Sequence, residues 1–82
     1  MLIDEVKTVV GGALQVRDRI NAMDAGAPLL GAVPELDSLA VVNVITAIEE
    51  HFGITVADDE IGASTFETLA SLAKFVEDKL AG

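Results

Sequence analysis

Val41, Val44, Ile45, Ile48 and Phe52 fall at i, i+3, i+4, i+7 and i+11. That spacing puts all five on one face of an α-helix, whereas a strand would need an alternation of two. The centre of the chain is therefore committed to a helix with one buried face. Asp37 stands ahead of it as an N-cap, because a short carboxylate reaches back to first-turn N–H groups, and Gly53 stands behind it as a stop.

The remaining segments must supply the surface on which this stripe packs. Ile3, Val6, Val9, Val10, Ala13 and Leu14 follow the same spacing and predict a first helix from Leu2 to about Gln15. It crosses Gly11 and Gly12, each of which costs about 1 kcal/mol relative to Ala in a helix interior. Near the other end Leu69, Leu72, Ala73, Val76 and Leu80 predict a final helix, with Ser64 as its N-cap and Glu67 completing a capping box. Asp58 to Ile61 reads as a short helical turn. Residues 21–37 hold both prolines and two glycines without a sustained period, and predict a long loop pinned to the core by Leu29, Leu30, Val33 and Leu36. The fold expected is all-α, a small four-helix bundle with three longer helices, one short one and a long loop between the first two long helices. With 82 residues it is read as one domain, residues 1–82.

Charge restricts what such a bundle binds. Five Lys and Arg oppose fourteen Asp and Glu for a net charge of −9, and no Lys or Arg lies between Arg19 and Lys74. Phosphate binding needs clustered cations, so nucleic acid and anionic membrane are poor partners. Aromatic residues are 4% of the chain, without Trp or Tyr to stack on a base or sugar. There is no Cys, which excludes disulfides, thiolate-bound zinc and a cysteine nucleophile. No apolar run approaches the ~20 residues of a spanning helix, and the start of the chain lacks a basic signal region, so a cytoplasmic protein without membrane insertion is expected.

Candidate chemistry is sparse. Ser38 and His51 lie thirteen residues apart on one predicted helix, about 20 Å at 1.5 Å per residue, too far for a hydrolytic pair. His51 reads as a helix-end cation. Glu49, Glu50 and His51 are consecutive and diverge, and Asp58-Asp59-Glu60 lacks the alternating ligands of a calcium loop. Leu39, Val42 and Thr46 form a second stripe on the central helix, less polar than a solvated face, which suggests a contact surface. Asp37-Ser38-Leu39 is by itself a helix start. It also puts a serine where a long loop meets a helix N-terminus, in a chain with no catalytic machinery of its own.

With Asp37-Ser38-Leu39 in that position, Phe52, the acids before Ile61 and the final helix at matching spacing, the chain resembles an acyl carrier protein over nearly its whole length. Pro28-Leu29-Leu30-Gly31 followed by Pro34-Glu35-Leu36-Asp37-Ser38 is similar to stand-alone carriers found with acyl-activating ligases in bacterial exosortase and exopolysaccharide gene sets.

The resemblance implies a carrier, not an enzyme. Ser38 is then the attachment point for 4′-phosphopantetheine, installed from coenzyme A by a phosphopantetheinyl transferase. Asp37 caps the helix and helps present the site. An acyl group rides as a thioester between an acyl-activating ligase or acyl-transferring enzymes, on a monomeric carrier. Leu39, Val42, Thr46, Glu49 and Glu50 are the partner-binding candidates, and Ile48, Val56, Ile61, Phe66 and Leu69 the candidate acyl pocket. Many fatty-acid carriers place acids two and five residues after the attachment serine, where this chain has Ala40 and Asn43, so more apolar docking is expected. Two alternatives stand beside this one: a peptidyl or aminoacyl carrier, and an unmodified acidic helical module that binds another protein.

Overall fold

The computed structural model describes residues 2–29, 33–34 and 36–81, without the side chains of Ser38, Asp58 and Ala63. Among the described residues there are four α-helices: α1 (Leu2–Leu14), α2 (Arg17–Asn21), α3 (Ser38–Phe52) and α4 (Leu69–Ala81). Two 3-10 turns, Asp58–Glu60 and Ala63–Phe66, lie between α3 and α4.

α1 is the hub and packs against α2, α3 and α4. Its Val6, Val9, Val10 and Leu14 meet Ile20 from α2, Ala40, Val44 and Ile48 from α3, Phe66, and Leu69, Leu72 and Val76 from α4 in one aliphatic core. Leu29, Val33 and Leu36 of the long loop are also buried there, as their apolar character predicts. Leu30, the fourth residue expected to pin that loop, lies outside the described residues.

The first helix survives its two glycines because a second helix sits on them. A Cβ on Gly11 would lie 2.9 Å from the Arg17 Cα, so α2 approaches to a distance that only glycine admits. The chain reverses between the two helices at Gln15, whose φ is 60°. Sequence periodicity does not reveal α2, since five residues with one buried side chain, Ile20, carry no detectable repeat.

The entry into α4 differs from expectation. The Ser64–Glu67 box does not form, because Phe66 turns into the core and residues 63–66 close as a 3-10 turn. Thr68 and Ser71 cap the helix reciprocally instead: each hydroxyl accepts the other residue's N–H at 3.0 Å. The long loop is stitched to this corner by Leu29 N–H donating to the Glu67 carbonyl and Ala70 N–H to the Ala25 carbonyl, both at 2.8 Å. Leu80, counted with the buried face of this helix, is 50% exposed. It lies one turn beyond Val76, past the core.

Candidate functional site

α3 begins where its sequence says it should. Asp37 is extended, with φ −101° and ψ −173°, and its Oδ1 accepts the Ala40 N–H at 2.8 Å while its carbonyl accepts the Val41 N–H at 2.9 Å. The first turn of a helix leaves its N–H groups without intrahelical acceptors, and Asp37 satisfies the third. The N–H groups of positions 38 and 39, ahead of that bond, give the helix start its affinity for negative charge. Ser38 is the first helical residue.

Beyond Ser38 the helix is uncharged from residue 38 to residue 48. Leu39 is 78% exposed and Val42 61%, and Thr46 continues the same face into solvent. Ala40 is buried and Asn43 exposed. The second apolar stripe is therefore a real surface feature.

The far end of α3 is tied down by Glu49. Its carbonyl accepts the N–H groups of Gly53 and Ile54, and its Oε2 accepts the Val56 N–H at 2.8 Å. Gly53 sits at φ 67°, the left-handed conformation that lets the chain turn back along the helix. Glu50 and His51 are exposed, and the His51 ring meets Phe52 edge-on at 4.7 Å between centroids. The returning segment is also held to α4. Glu60 accepts the Lys79 ammonium at 2.8 and 2.9 Å and the Ala57 N–H at 2.8 Å. These hydrogen bonds, the Lys79 one first, hold the Glu60 carboxyl below the usual carboxylate range.

Between α3 and this segment lies a cleft of about 300 Å³ lined by Val41, Val42, Ile45, Thr46, Glu49, Val56 and Ile61. Of the five candidate pocket residues, Val56 and Ile61 line it. Ile48, Phe66 and Leu69 are buried in the core and form no part of its wall. Of the other lining residues, Val42, Thr46 and Glu49 belong to the expected partner face, and Val41 and Ile45 to the stripe expected to be buried. The latter two are half-buried, at the edge of that stripe. Larger hollows lie at the α1–α2 corner, about 720 Å³, and between the start of α1 and α4, about 510 Å³, but no residue of α3 lines either. Among the described residues no three His, Cys, Asp or Glu side chains gather to hold a metal ion. None of their helices is long and apolar enough to cross a membrane.

The family described as a phosphopantetheine attachment site matches residues 4–76. An acyl carrier protein of Sulfurovum sp. (strain NBC37-1) is 37% identical over 78 residues, covering 94% of this chain and 96% of the relative. The chain belongs to the acyl carrier protein family. The solution NMR structure of a holo acyl carrier protein from Nitrosomonas europaea superposes with a TM-score of 0.91 at 54% identity, covering 98% of this chain and 96% of that one. Acyl carrier proteins hold and deliver acyl groups and do not transform them, so this carrier is not an enzyme. The family's prosthetic group, phosphopantetheine, fits what the residues offer: a helix start with N–H groups ahead of the cap, suited to a phosphodiester, and no cysteine to supply a thiol.

Proposed function

We propose that this carrier is modified on Ser38 with 4′-phosphopantetheine by a phosphopantetheinyl transferase, and carries an acyl group as a thioester on the arm's terminal thiol. The observation that supports this most strongly is the place of Ser38. It is the first residue of α3, directly after an aspartate whose carboxylate caps that helix and directly before a leucine 78% exposed. The chain's part in attachment is to present an unbranched primary hydroxyl at a positive helix end, where the phosphodiester charge is favoured. The bound group supplies the thiol chemistry that the polypeptide lacks.

Enzymes that act on the arm must approach the same end of α3. Leu39, Val42 and Thr46 are exposed on the face of the helix that begins beside Ser38, with Glu49 and Glu50 further on, and we assign partner contact to this face. An acyl-activating ligase of the kind found with exosortase and exopolysaccharide gene sets is the proposed loading enzyme, and acyl-transferring enzymes are the proposed recipients. The α3 cleft, with Val56 and Ile61 in its far wall, is the proposed shelter for a short apolar cargo. Ile48, Phe66 and Leu69 are buried in the core and contribute only if the core parts. We place the carrier in the cytoplasm as a monomeric single domain.

Intact-mass measurement after incubation with coenzyme A and a phosphopantetheinyl transferase tests this reading. The wild-type chain gains one phosphopantetheine and Ser38→Ala gains none; an unchanged wild-type mass with several competent transferases contradicts it.

A further inference from the structure

We infer, on the carrier reading of Ser38, that the α3 cleft takes a short cargo whose apolar body bears a hydrogen-bond donor, an ammonium or a hydroxyl, and that Glu49 receives that donor. The class of cargo is then set by this carboxylate as well as by the apolar walls around it.

Three observations carry it. The cleft holds about 300 Å³, the small end of ligand pockets at roughly 300–1,000 Å³, which suits a few carbons and not a long chain. Val41, Ile45, Val56 and Ile61 make its walls apolar, and Glu49 is the charged residue of its lining, with no lysine, arginine or histidine among the described residues that line it. Glu49 is also held in place. It is half-buried on α3, and its Oε2 crosses the cleft to accept the Val56 N–H of the opposite wall at 2.8 Å. Swinging the carboxylate out to water would strand that N–H, so the charge stays where a cargo meets it. A carboxylate offers about four acceptor positions on its two oxygens, and the Val56 N–H occupies one. The cation bonded to the returning segment, Lys79, gives its ammonium to both oxygens of Glu60.

A cargo therefore meets an apolar trough with a fixed negative group in its lining. A plain alkyl chain laid there strips water from the Glu49 carboxylate and returns nothing to it. A cargo of the same size with a hydroxyl or an ammonium replaces the lost water with a hydrogen bond. The ammonium bond is the stronger, because charge assists it from both sides. Thr46, the other polar residue of the lining, leaves this order unchanged, since its hydroxyl is neutral.

The test compares butyryl, 3-hydroxybutyryl and 3-aminobutyryl cargo on the full chain. Each is loaded from its coenzyme A thioester by a phosphopantetheinyl transferase, run to completion so that differences in loading rate do not enter. Backbone amide NMR shifts of Val41, Ile45, Val56 and Ile61 are read against the same chain carrying the unloaded arm. In fast exchange the change in shift scales with the time the cargo spends in the cleft. The 3-aminobutyryl cargo moves these amides on the order of threefold or more further than butyryl, with 3-hydroxybutyryl between them. Glu49→Gln keeps an oxygen for the Val56 N–H and removes the charge, so the ammonium loses its excess over the hydroxyl. Glu49→Leu removes the acceptor, and both donor-bearing cargoes fall to within about twofold of butyryl in the same variant. Thermal melts of both variants are checked first, and the wild-type comparison stands without either. Butyryl shifts as large as those of both donor-bearing cargoes overturn the inference, as does an ammonium excess that survives both substitutions, or amides that no cargo moves. Each of these leaves Ser38 modification standing. A wild-type chain that no transferase loads removes the carrier reading and this inference together.

Discussion

Asp37 closes the first turn of α3 with its carboxylate and places Ser38 one residue later, so a single side chain sets both the stability of the helix and the position of the candidate attachment site. Asp37→Ala should lower unfolding stability by about 1 kcal/mol, measured by urea denaturation, while Asp37→Ser, which keeps a capping oxygen, should recover most of it. This cap was legible in the sequence because it depends on residues three apart. The Ser64 cap satisfied the same local rule and failed, since burial of Phe66 competes with it and Thr68 with Ser71 caps the helix a turn later. Glu60 shows a residue effect that no spacing announces. Its carboxyl is lowered by Lys79 and by the Ala57 N–H, so it contributes stability that is fully present above the ordinary carboxylate pKa and is lost as pH falls through the lowered folded value. Thermal melts of wild type and Glu60→Gln across the acid range should converge as pH drops, with the wild type the more stable near neutrality. Comparing the two cancels the relief of self-repulsion that acid brings to any chain this negative.

At the scale of elements, the adjacent glycines of α1 separate two explanations for a glycine in a helix. Gly11 faces the Arg17 Cα at 2.9 Å, whereas the nearest atoms to a Cβ on Gly12 are the mobile Arg17 guanidinium nitrogens at 3.6 and 3.7 Å. Gly11→Ala should therefore destabilise by about 1–3 kcal/mol as α2 is pushed away, and Gly12→Ala should stabilise by up to about 1 kcal/mol through helix propensity. Equal effects in urea denaturation would show that the approach of α2 does not matter. Sequence alone treats the two positions alike, because what distinguishes them is α2, a helix too short for a periodic signal. Glu49 ties α3 to the far wall of its cleft in the same way. Glu49→Ala should release the Val56 N–H, raising its hydrogen-exchange rate about tenfold, with little change at amides in the middle of α1. The three long helices were legible because each has a face to bury. The cleft is half legible: Val56 and Ile61 are among both the pocket candidates and the cleft lining, but Val41 and Ile45 carry the same pattern as core residues and reveal themselves only once the returning segment is laid beside α3.

For the whole molecule, a small aliphatic core with α1 as its hub holds one helix so that its start, its exposed uncharged strip and its cleft follow one another along a single face. A carrier performs no reaction of its own; this arrangement puts the proposed attachment residue at the start of α3 with an exposed apolar strip beside it. The chain contains three serines, Ser38, Ser64 and Ser71, and they stand in different places. Ser71 is engaged in the cap of α4 and Ser64 lies exposed in a 3-10 turn, while Ser38 begins α3 behind its aspartate cap. The most direct measurement is fragment mass spectrometry of the chain after reaction with coenzyme A and a phosphopantetheinyl transferase. The account predicts one phosphopantetheine, located on the fragment containing Ser38 and on neither of the other serines; modification at Ser64 or Ser71, or none at Ser38, would contradict it.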